Sequence, residues 1–334
     1  MIAPSTPTFA QLVQDYFCRH LINQRDVSDC TVASYRDTFR IFLEYLENQL
    51  SKQPSKVSLS DLTADNIETF LKHLEESRKN SVRTRNNRFA ALRSFLKYAA
   101  GRDPTFLSTA QRVLAMPMKR FDRPLLGFLS QTEVQAVLNA PDGSKWTGRR
   151  DRSMFATLYN TGARVSELAA LKLQDVPLDV AGSVRIHGKG RKQRTVPLWK
   201  DTTKRLKTWI KEIDSNGQSP LFPNASGGFL TRSGVEYRLK RAVADAVSGC
   251  PSLKDKTVSP HTLRHTTAMH LLQSGVDITV IALWLGHEST ETTHMYVEAD
   301  LAMKERALSR LEEPKIGALR YRPSDSLLKF LESL

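Results

Sequence analysis

The amino-acid sequence predicts a mainly α-helical protein of two domains, the second of which also contains a small antiparallel β-sheet. Three observations support this prediction. The chain has 334 residues, which is more than one hydrophobic core usually serves. Apolar residues recur at helical spacing through most of residues 7–115 and again beyond residue 130. Residues 182–198 instead alternate apolar and polar side chains around a Gly-Lys-Gly turn, as a β-hairpin does.

The composition is that of a strongly basic globular protein. Hydrophobic residues make up 40% of the chain and charged residues 25%, which is usual for soluble domains. The formal net charge is +14 and the isoelectric point is about 9.8. A surplus of this size favours a polyanionic partner, most often nucleic acid and less often an acidic membrane surface.

Cysteine usage and hydropathy predict a cytoplasmic protein without membrane contact. Cys18, Cys30 and Cys250 are odd in number and far apart, so neither a disulfide framework nor a cysteine-rich zinc site fits them. The N-terminal MIAPSTPTFAQLV lacks the basic and apolar segments of a signal peptide. No stretch reaches the roughly 18 apolar residues that would suggest a membrane span.

Residues 1–115 are predicted to form a helical domain. Thr8 and Gln11 have capping-box spacing before the first apolar run, and Thr63 can cap a later one. The last helix, NSVRTRNNRFAALRSFLKYAA, carries four basic residues away from its apolar face: Arg83, Arg85, Arg88 and Lys97. A helix face exposed to solvent would explain these basic residues. However, few acidic residues lie among them to balance their charge, and the chain is already basic, so contact with phosphates is favoured.

A linker and a second domain follow. Residues 116–129 contain Pro117 and Pro124, which cannot continue a helix. Ser130 and Glu133 then form another capping box and open a domain over residues 130–313. Its predicted elements are a helix that ends at Gly162, a helix over ARVSELAALKLQDV, the hairpin, and helices near 201–213, 231–248, 261–274, 277–285 and 289–312.

Two arginines and a histidine lie at predicted helix starts. Arg164 opens a helix after the turn NTG, and His261 and Arg264 share the first turn of another helix. Helix N-termini favour anions, and a guanidinium binds phosphate through two hydrogen bonds. Plainer readings exist for each: Arg164 can pair with Glu167, and the other two can be a capping histidine and a surface arginine.

The hairpin and the segment LGHESTETTHMYV supply further polar groups. Lys189 stands between two glycines, which let the backbone approach another molecule, although a flexible and merely basic turn is the competing view. The hairpin continues with three more basic residues: Arg191, Lys192 and Arg194. His287 follows a predicted helix end, and Tyr296 would lie on the next helix.

Together these residues fit a phosphoryl transfer that needs no metal. Such a reaction requires cations around the phosphate oxygens, an acid for the leaving oxygen and a nucleophile. The sequence offers all three and holds no carboxylate cluster for Mg²⁺. His261 and His265 have the spacing of a zinc pair, but the Glu of an H-E-x-x-H motif is missing. We expect no cofactor.

The sequence resembles the tyrosine recombinase and integrase family over nearly its whole length. Four segments carry the resemblance: TGARVSEL, HGKGRKQRTVPL, HTLRHTTAMHLL and LGHESTETTHMYV. The resemblance assigns catalytic roles to six residues: Arg164, Lys189, His261, Arg264, His287 and Tyr296. It implies a helical core-binding domain over residues 1–115 and a mixed α+β catalytic domain over residues 130–313.

The resemblance also implies the reaction. Tyr296 would attack a DNA phosphodiester and form a 3′-phosphotyrosyl link, while Lys189 protonates the departing 5′-oxygen and His261 assists proton transfer at the nucleophile. The two arginines and His287 would hold the non-bridging oxygens. Because the link keeps the bond energy, the 5′-hydroxyl of a second strand could reverse the step without ATP.

Partners follow from the same resemblance. Such enzymes act on double-stranded DNA with specific recombination sites, as tetramers, and a companion recombinase or an excision factor can accompany them. We expect a bacterial mobile element as the source. The tail, residues 314–334, contains SDSLLKFLESL, whose leucines form a narrow apolar stripe. It could fold back on its own domain, but we favour docking on a neighbouring subunit.

Two other functions would use the same residues. A type IB topoisomerase has similar chemistry but reseals the same strand; the compact first domain and the terminal helix favour recombination. A decayed integrase could act as a catalytically silent DNA-binding regulator, but the complete six-residue set argues against it. RNA binding fits the charge alone, and no RNA-module motif appears.

Overall fold

The computed structural model of the chain describes residues 7–121, 127–178, 182–188, 192–213 and 217–287. The chain divides into two compact units, Met1–Pro124 and Leu125–Leu334. The predicted mainly helical fold with a small antiparallel sheet is confirmed. The helix expected near 289–312 and the tail 314–334 lie outside the described residues. None of the described helices has the length and apolar character that a membrane crossing requires.

The described residues of the first unit form helices and the turns between them. Its α-helices are α1 (Phe9–Asp15), α2 (Asp29–Leu50), α3 (Ala64–Glu76), α4 (Val82–Ala100) and α5 (Leu107–Ala115). The capping box of Thr8 and Gln11 opens α1, and the Thr63 hydroxyl accepts a hydrogen bond from the backbone of Asn66 at the start of α3. Both predicted helix starts are therefore confirmed.

The first helix differs from the prediction after Asp15. From Tyr16 to Gln24 the chain continues as a π-helix, whose hydrogen bonds span five residues. Tyr16 and Leu21 are both buried, although an ideal α-helix would turn residues of this separation to different sides. The wider turn lets both reach the core, where the Tyr16 ring lies edge-on to Phe95 at 5.3 Å.

The second unit combines helices with the predicted hairpin. Its elements are α6 (Gln131–Asn139), α7 (Trp146–Thr161), α8 (Val165–Ala169), β1 (Ser183–His187), β2 (Gln193–Pro197), α9 (Lys200–Ile210), α10 (Arg232–Ala246), α11 (Pro260–Gln273) and α12 (Ile278–Leu285). The strands pair antiparallel, with Val184 opposite Val196 and Ile186 opposite Arg194. Val184, Val196 and Ile186 are buried, so the alternation of apolar and polar residues seen in the sequence is confirmed.

Helix α8 is shorter than predicted because its continuation pairs elsewhere. The backbone N–H of Leu173 donates to the Ser219 carbonyl at 3.0 Å, and that of Leu221 donates to the Leu171 carbonyl at 2.8 Å. These bonds to a segment far along the chain replace the helical ones after Ala169. Local sequence holds no signal for this competition.

Asn160, near the C-terminal end of α7, fixes two other elements. This side chain is buried; its Nδ2 donates to the Pro197 carbonyl at 3.0 Å, and its Oδ1 accepts from the backbone N–H of Trp199 at 2.8 Å. Its carbonyl accepts from the indole N–H of Trp284 at 3.2 Å. The end of β2 and the end of α12 are thereby held against α7.

Gly162 ends α7, as predicted, where α12 packs closely against it. Its φ of +57° lies in the left-handed region that glycine adopts without strain. A Cβ atom at this position would collide with Cδ2 of Leu285. Backbone conformation and packing against α12 therefore both require glycine.

Gly162→Ala should destabilise the second unit more than Gly275→Ala does. Both glycines have positive φ, +57° and +84°, so each alanine carries left-handed strain of about 1–2 kcal/mol. A Cβ at position 275 meets no atom within 4 Å, whereas one at 162 meets Leu285, which adds about 1–3 kcal/mol. Urea unfolding followed by tryptophan fluorescence reports on this unit, because all 4 tryptophans lie in it. Equal losses of unfolding free energy would contradict the close packing.

Candidate active site

Three elements of the second unit line an open cleft of about 830 Å³. Helix α8 contributes Arg164 and Glu167, the hairpin contributes His187 and Lys192, and the end of α12 contributes His287. Helix α11 adds Arg264, which bonds to the same end of α12. The elements converge here because α12 and β2 are both fixed to α7, whose end leads directly into α8.

The last turn of α12 holds three arginines through consecutive main-chain oxygens. The three hydrogen bonds are Arg194 Nε to the Trp284 carbonyl (2.9 Å), Arg264 Nη2 to the Leu285 carbonyl (2.9 Å) and Arg164 Nη2 to the Gly286 carbonyl (3.3 Å). A helix C-terminus leaves its last carbonyls without helical partners and carries partial negative charge. The guanidinium groups satisfy these oxygens and are thereby gathered in one place.

Glu167 is the buried carboxylate between two of these arginines. Its Oε1 accepts from Arg164 Nη1 at 2.8 Å, and its Oε2 accepts from Arg194 Nη2 at 2.7 Å and from the Arg164 backbone at 2.9 Å. Burial alone would raise the pKa of Glu167, but the hydrogen bonds from Arg194 and Arg164, with the charge of Arg194, outweigh it and lower that pKa. The carboxylate stays ionised and neutralises part of the gathered charge.

The two candidate catalytic arginines differ in exposure. Arg264 is buried, and its Nη1 also donates to the Gly162 carbonyl. The side chain of Arg164 is 37% exposed and lines the cleft. The fold therefore locks one guanidinium in place and presents the other to any anion that enters.

Three histidines lie beside these arginines. Burial, with the charges of Arg264 and Arg164, lowers the pKa of His287 to about 4. Burial also lowers the pKa of His265 to about 4 and, together with nearby guanidinium groups, lowers the pKa of His261. All three imidazoles are therefore neutral at pH 7. Within the described ranges, no three His, Cys, Asp or Glu side chains are grouped as a metal site would need.

The structure brings Arg164, Arg264 and His287 together at the end of α12, whereas His261, in the first turn of α11, lines a second cavity with His265. The charges of Arg264 and Arg164 both act on His261 and on His287. Lys189, Arg191 and Tyr296 lie outside the described residues. On either side of that gap in the hairpin, the backbone N–H of Gly188 donates to the Lys192 carbonyl at 2.8 Å.

The predicted DNA contacts on the hairpin divide into two kinds. Lys192 is exposed and lines the cleft, and its contact with DNA stays a prediction. Arg194 lines the same cleft, but its side chain is only 11% exposed, and Glu167 and the Trp284 carbonyl hold its guanidinium. The basic run in the sequence suggested solvent exposure, but the packing of β2 against α12 turns Arg194 inward.

The predicted DNA contacts on α4 of the first unit also differ in exposure. Arg83 and Lys97 are exposed, as contact with phosphates requires. The guanidinium of Arg85 lies over the Phe89 ring at 5.6 Å, and Arg88 is half-buried, which lowers its pKa. Packing takes up part of Arg85 and of Arg88, and contact of all four residues with DNA phosphates stays a prediction.

Glu167 has a larger part in the site than its sequence position indicated. Its spacing from Arg164 was a visible signal, but it pointed only to a local pair. Arg194 lies 27 residues further along the chain, and only the fold brings it to the same carboxylate. The main-chain oxygens of residues 284–286 have no sequence signature at all.

The imidazole of His287 should titrate near pH 4, and Arg164→Gln should raise that pKa. Loss of the guanidinium removes repulsion of the imidazolium, but burial remains, so the pKa should stay below 6.5. Because the folded pKa is lowered, His287 contributes its full stability above pH 6.5 and loses it as pH falls towards 4.

Nitrogen-15 NMR of protein labelled at histidine measures this titration. The signal that is missing from the spectrum of His287→Gln identifies His287. Lys211→Gln, next to the end of α9, removes a positive charge elsewhere on the surface and should leave the His287 pKa unchanged. A pKa near 6.5 in the wild-type protein would contradict the described site.

Comparisons with known proteins identify the family. The sequence profile of the Phage integrase family matches residues 127–303, and that of the Phage integrase, N-terminal SAM-like domain matches residues 15–103. Putative integrase/recombinase y4rC of Sinorhizobium fredii (strain NBRC 101917 / NGR234) is 47% identical over 329 residues, covering 98% of each chain. Tyrosine recombinase XerD of Pseudomonas putida (strain KT2440) is 34% identical over 293 residues, covering 84% of this chain and 91% of that protein.

Solved structures share the fold. The XerH site-specific recombinase bound to palindromic difH substrate matches with a TM-score of 0.67 and 24% identity, over 85% of this chain and 81% of that one. The Tn1549 transposon integrase in complex with transposon right end DNA matches with a TM-score of 0.69 and 17% identity, over 91% and 99%. The resemblance predicted from the sequence is confirmed, and the chain belongs to the phage integrase family of tyrosine recombinases.

Proposed function

We propose that this protein is a site-specific DNA recombinase that cleaves and rejoins strands through a covalent link between DNA and Tyr296. The observation that supports this most directly is the convergence of Arg164, Arg264 and His287 at the end of α12. When phosphorus is attacked, negative charge develops on its non-bridging oxygens and needs fixed donors. Arg164 and His287 both line the cleft and can supply such donors.

The reaction is a transfer of the phosphoryl group between two oxygens. The hydroxyl of Tyr296 attacks phosphorus, the bond to the 5′-oxygen breaks, and a 3′-phosphotyrosyl ester forms. Lys189 gives a proton to the departing 5′-oxygen. His261, kept neutral by its lowered pKa, accepts the proton that the phenol loses. In the second half the 5′-hydroxyl of another strand attacks the ester and gives its proton to Lys189, while His261 returns the other proton to the oxygen of Tyr296 as that oxygen leaves phosphorus.

This scheme requires neither ATP nor a metal ion. The phosphotyrosyl ester keeps the energy of the phosphodiester that was broken, so the rejoining step is close to balanced. Arg164, Arg264 and Lys189 supply the positive charge that the transition state needs. Because Glu167 and main-chain oxygens already hold both arginines, little reorganisation accompanies the reaction.

Double-stranded DNA with specific recombination sites is the proposed partner. The formal net charge of +14 supports a polyanion, and the exposed Arg83, Lys97 and Lys192 offer contacts with its phosphates. Arg85, Arg88 and Arg191 remain further candidates. We propose a core-binding domain over 1–115, a linker over 116–129 and a catalytic domain over 130–313; the division between compact units near residue 124 supports this order.

The proposed active form on DNA is a homotetramer in the cytoplasm of a bacterium, with the tail 314–334 docked on a neighbouring subunit. A lambda integrase tetramer bound to a Holliday junction has a similar fold, with a TM-score of 0.60 at 17% identity over 88% of this chain and 78% of that one. A mobile element is the proposed source of the gene, and a companion recombinase or an excision factor is a possible further partner.

Wild-type protein should form a covalent adduct with a nicked suicide substrate that contains its own site, and Tyr296→Phe should form none. The nick lets the 5′ fragment diffuse away, so the phosphotyrosyl ester accumulates and is visible in denaturing gels. Tyr35→Phe is the matched control, because Tyr35 packs against the core of the first unit. It should keep the wild-type yield.

Two other activities are distinguished by adding a gel-shift assay and a plasmid relaxation assay to this experiment. A binding-only regulator would retain the site in a gel-shift assay but form no adduct. A type IB topoisomerase-like enzyme would relax supercoiled plasmids without a recombination site and exchange no strands. Either result would overturn the recombinase assignment.

Deletion of residues 323–334 should weaken assembly on paired sites without loss of adduct formation on a single site. The helix that the leucine stripe of this segment predicts would be too short to be stable alone, so it would need a surface on which to dock. Native gels measure assembly, and the suicide substrate measures cleavage. Wild-type assembly by the shortened chain would show that the tail does not join subunits.

A further inference from the structure

Arg194 is a basic residue that the fold holds inside. Its side chain is 11% exposed, against 37% for Arg164. It lies on β2 opposite the buried Ile186, and it follows directly on the basic run of the hairpin tip. A residue that binds DNA phosphates needs its donors towards solvent, and two of the three nitrogens of Arg194 donate to protein atoms instead.

The guanidinium of Arg194 bonds in two directions at once. Its Nε donates to the Trp284 carbonyl at 2.9 Å, and its Nη2 donates to Oε2 of Glu167 at 2.7 Å. Its Nη1 lies close to Gly286, where an added Cβ would come within 2.9 Å of it. Two of the three nitrogens are therefore held by protein acceptors, although the residue also borders the cleft.

These contacts join three separate segments of the chain: β2, α8 and the end of α12. On the α8 side, Glu167 holds both the guanidinium and the backbone N–H of Arg164. On the α12 side, His287 follows directly after Gly286. A displacement of Arg194 would thus move the supports of Arg164 and His287 together.

We propose that Arg194 is a positioning residue for strand cleavage, which fixes the base of the hairpin to the carboxylate that orients Arg164 and to the turn that carries His287. It makes no contact with DNA. This assignment rests on the proposed recombinase function, because the rate of strand cleavage is its main readout.

Lysine cannot take over this position. A guanidinium is a planar fork that donates in fixed directions, here to a main-chain oxygen and to a carboxylate. An ammonium group is a compact charge on a flexible stem. Arg194→Lys therefore keeps the charge that attracts DNA but loses the fork, and it separates the two possible roles of this residue.

The test compares Arg194→Lys and Arg194→Met with wild type. DNA affinity is measured at several salt concentrations, adduct formation is measured in single turnover at saturating DNA, and thermal unfolding is measured as well. For a positioning residue we expect affinity within about twofold, an unchanged salt dependence, and cleavage slowed about 100-fold in both variants. Should the Met variant fail to fold, the Lys variant, which keeps the charge, decides.

A DNA ligand would give the opposite pattern. Loss of a phosphate contact lowers affinity and reduces the salt slope by about one, leaves the rate at saturating DNA near that of wild type, and is largely repaired by lysine. That pattern would overturn the proposal. Arg205→Met is the matched control, since Arg205 pairs with Asp201 on the outer side of α9; it should change neither affinity nor rate.

A second readout does not depend on cleavage. The backbone N–H of Arg164 donates to Oε2 of Glu167, the oxygen that Arg194 also holds. Without the guanidinium of Arg194, the Glu167 carboxylate loses one of its hydrogen-bond donors and is held less rigidly. Hydrogen exchange of the Arg164 backbone N–H, measured by NMR, should therefore accelerate about tenfold or more in both variants. Unchanged exchange would overturn the positioning role. If exchange accelerates in the variants but the wild-type protein forms no adduct with DNA, the positioning role stands and only the recombinase function is overturned.

Discussion

The C-terminal turn of α12 is the constraint on which the site depends. Carbonyl oxygens that a helix end leaves without partners occur at residues 284–286, and each of them binds a different arginine. Gly286, in the left-handed conformation, ends the helix and brings His287 to the same cleft. The position of this turn, fixed to α7 by Trp284 and by close packing at Gly162, thus sets the positions of Arg164, Arg264 and His287.

Holding three guanidinium groups close together is electrostatically unfavourable. A small number of negative or partly negative groups in the fold offsets their repulsion. Glu167 is ionised and bridges two of the arginines. The negative end of α12 and the Gly162 carbonyl stabilise the third, Arg264. Burial, with the remaining positive potential, lowers the pKa values of the neighbouring histidines. A site that keeps imidazoles neutral while holding fixed cations suits both binding of a phosphodiester and acceptance of a proton from a phenol.

Much of the fold was predictable from the sequence, because helix caps and strand alternation depend only on residues that are close together in the chain. The capping boxes at Thr8 and Ser130 place helix starts where the structure has them, since a side chain that bonds to its own first turn needs no distant partner. The alternation around Val184 likewise predicts the hairpin. The π-helical turn after Asp15 and the early end of α8 were not predictable. Each results from packing or backbone pairing with segments far away in the chain.

The sequence by itself determined which residue types are available: guanidinium, imidazole, ammonium and phenol groups in family motifs, on a chain of net charge +14. The tertiary structure alone decided which of them share a site and which way each faces. Arg194 and Lys192 are near neighbours in one basic run and both line the cleft, yet Glu167 and a main-chain oxygen hold the guanidinium of Arg194, whereas Lys192 is exposed. The physical reason is that a basic side chain adds charge wherever it stands, whereas its hydrogen bonds depend on atoms that only folding brings near.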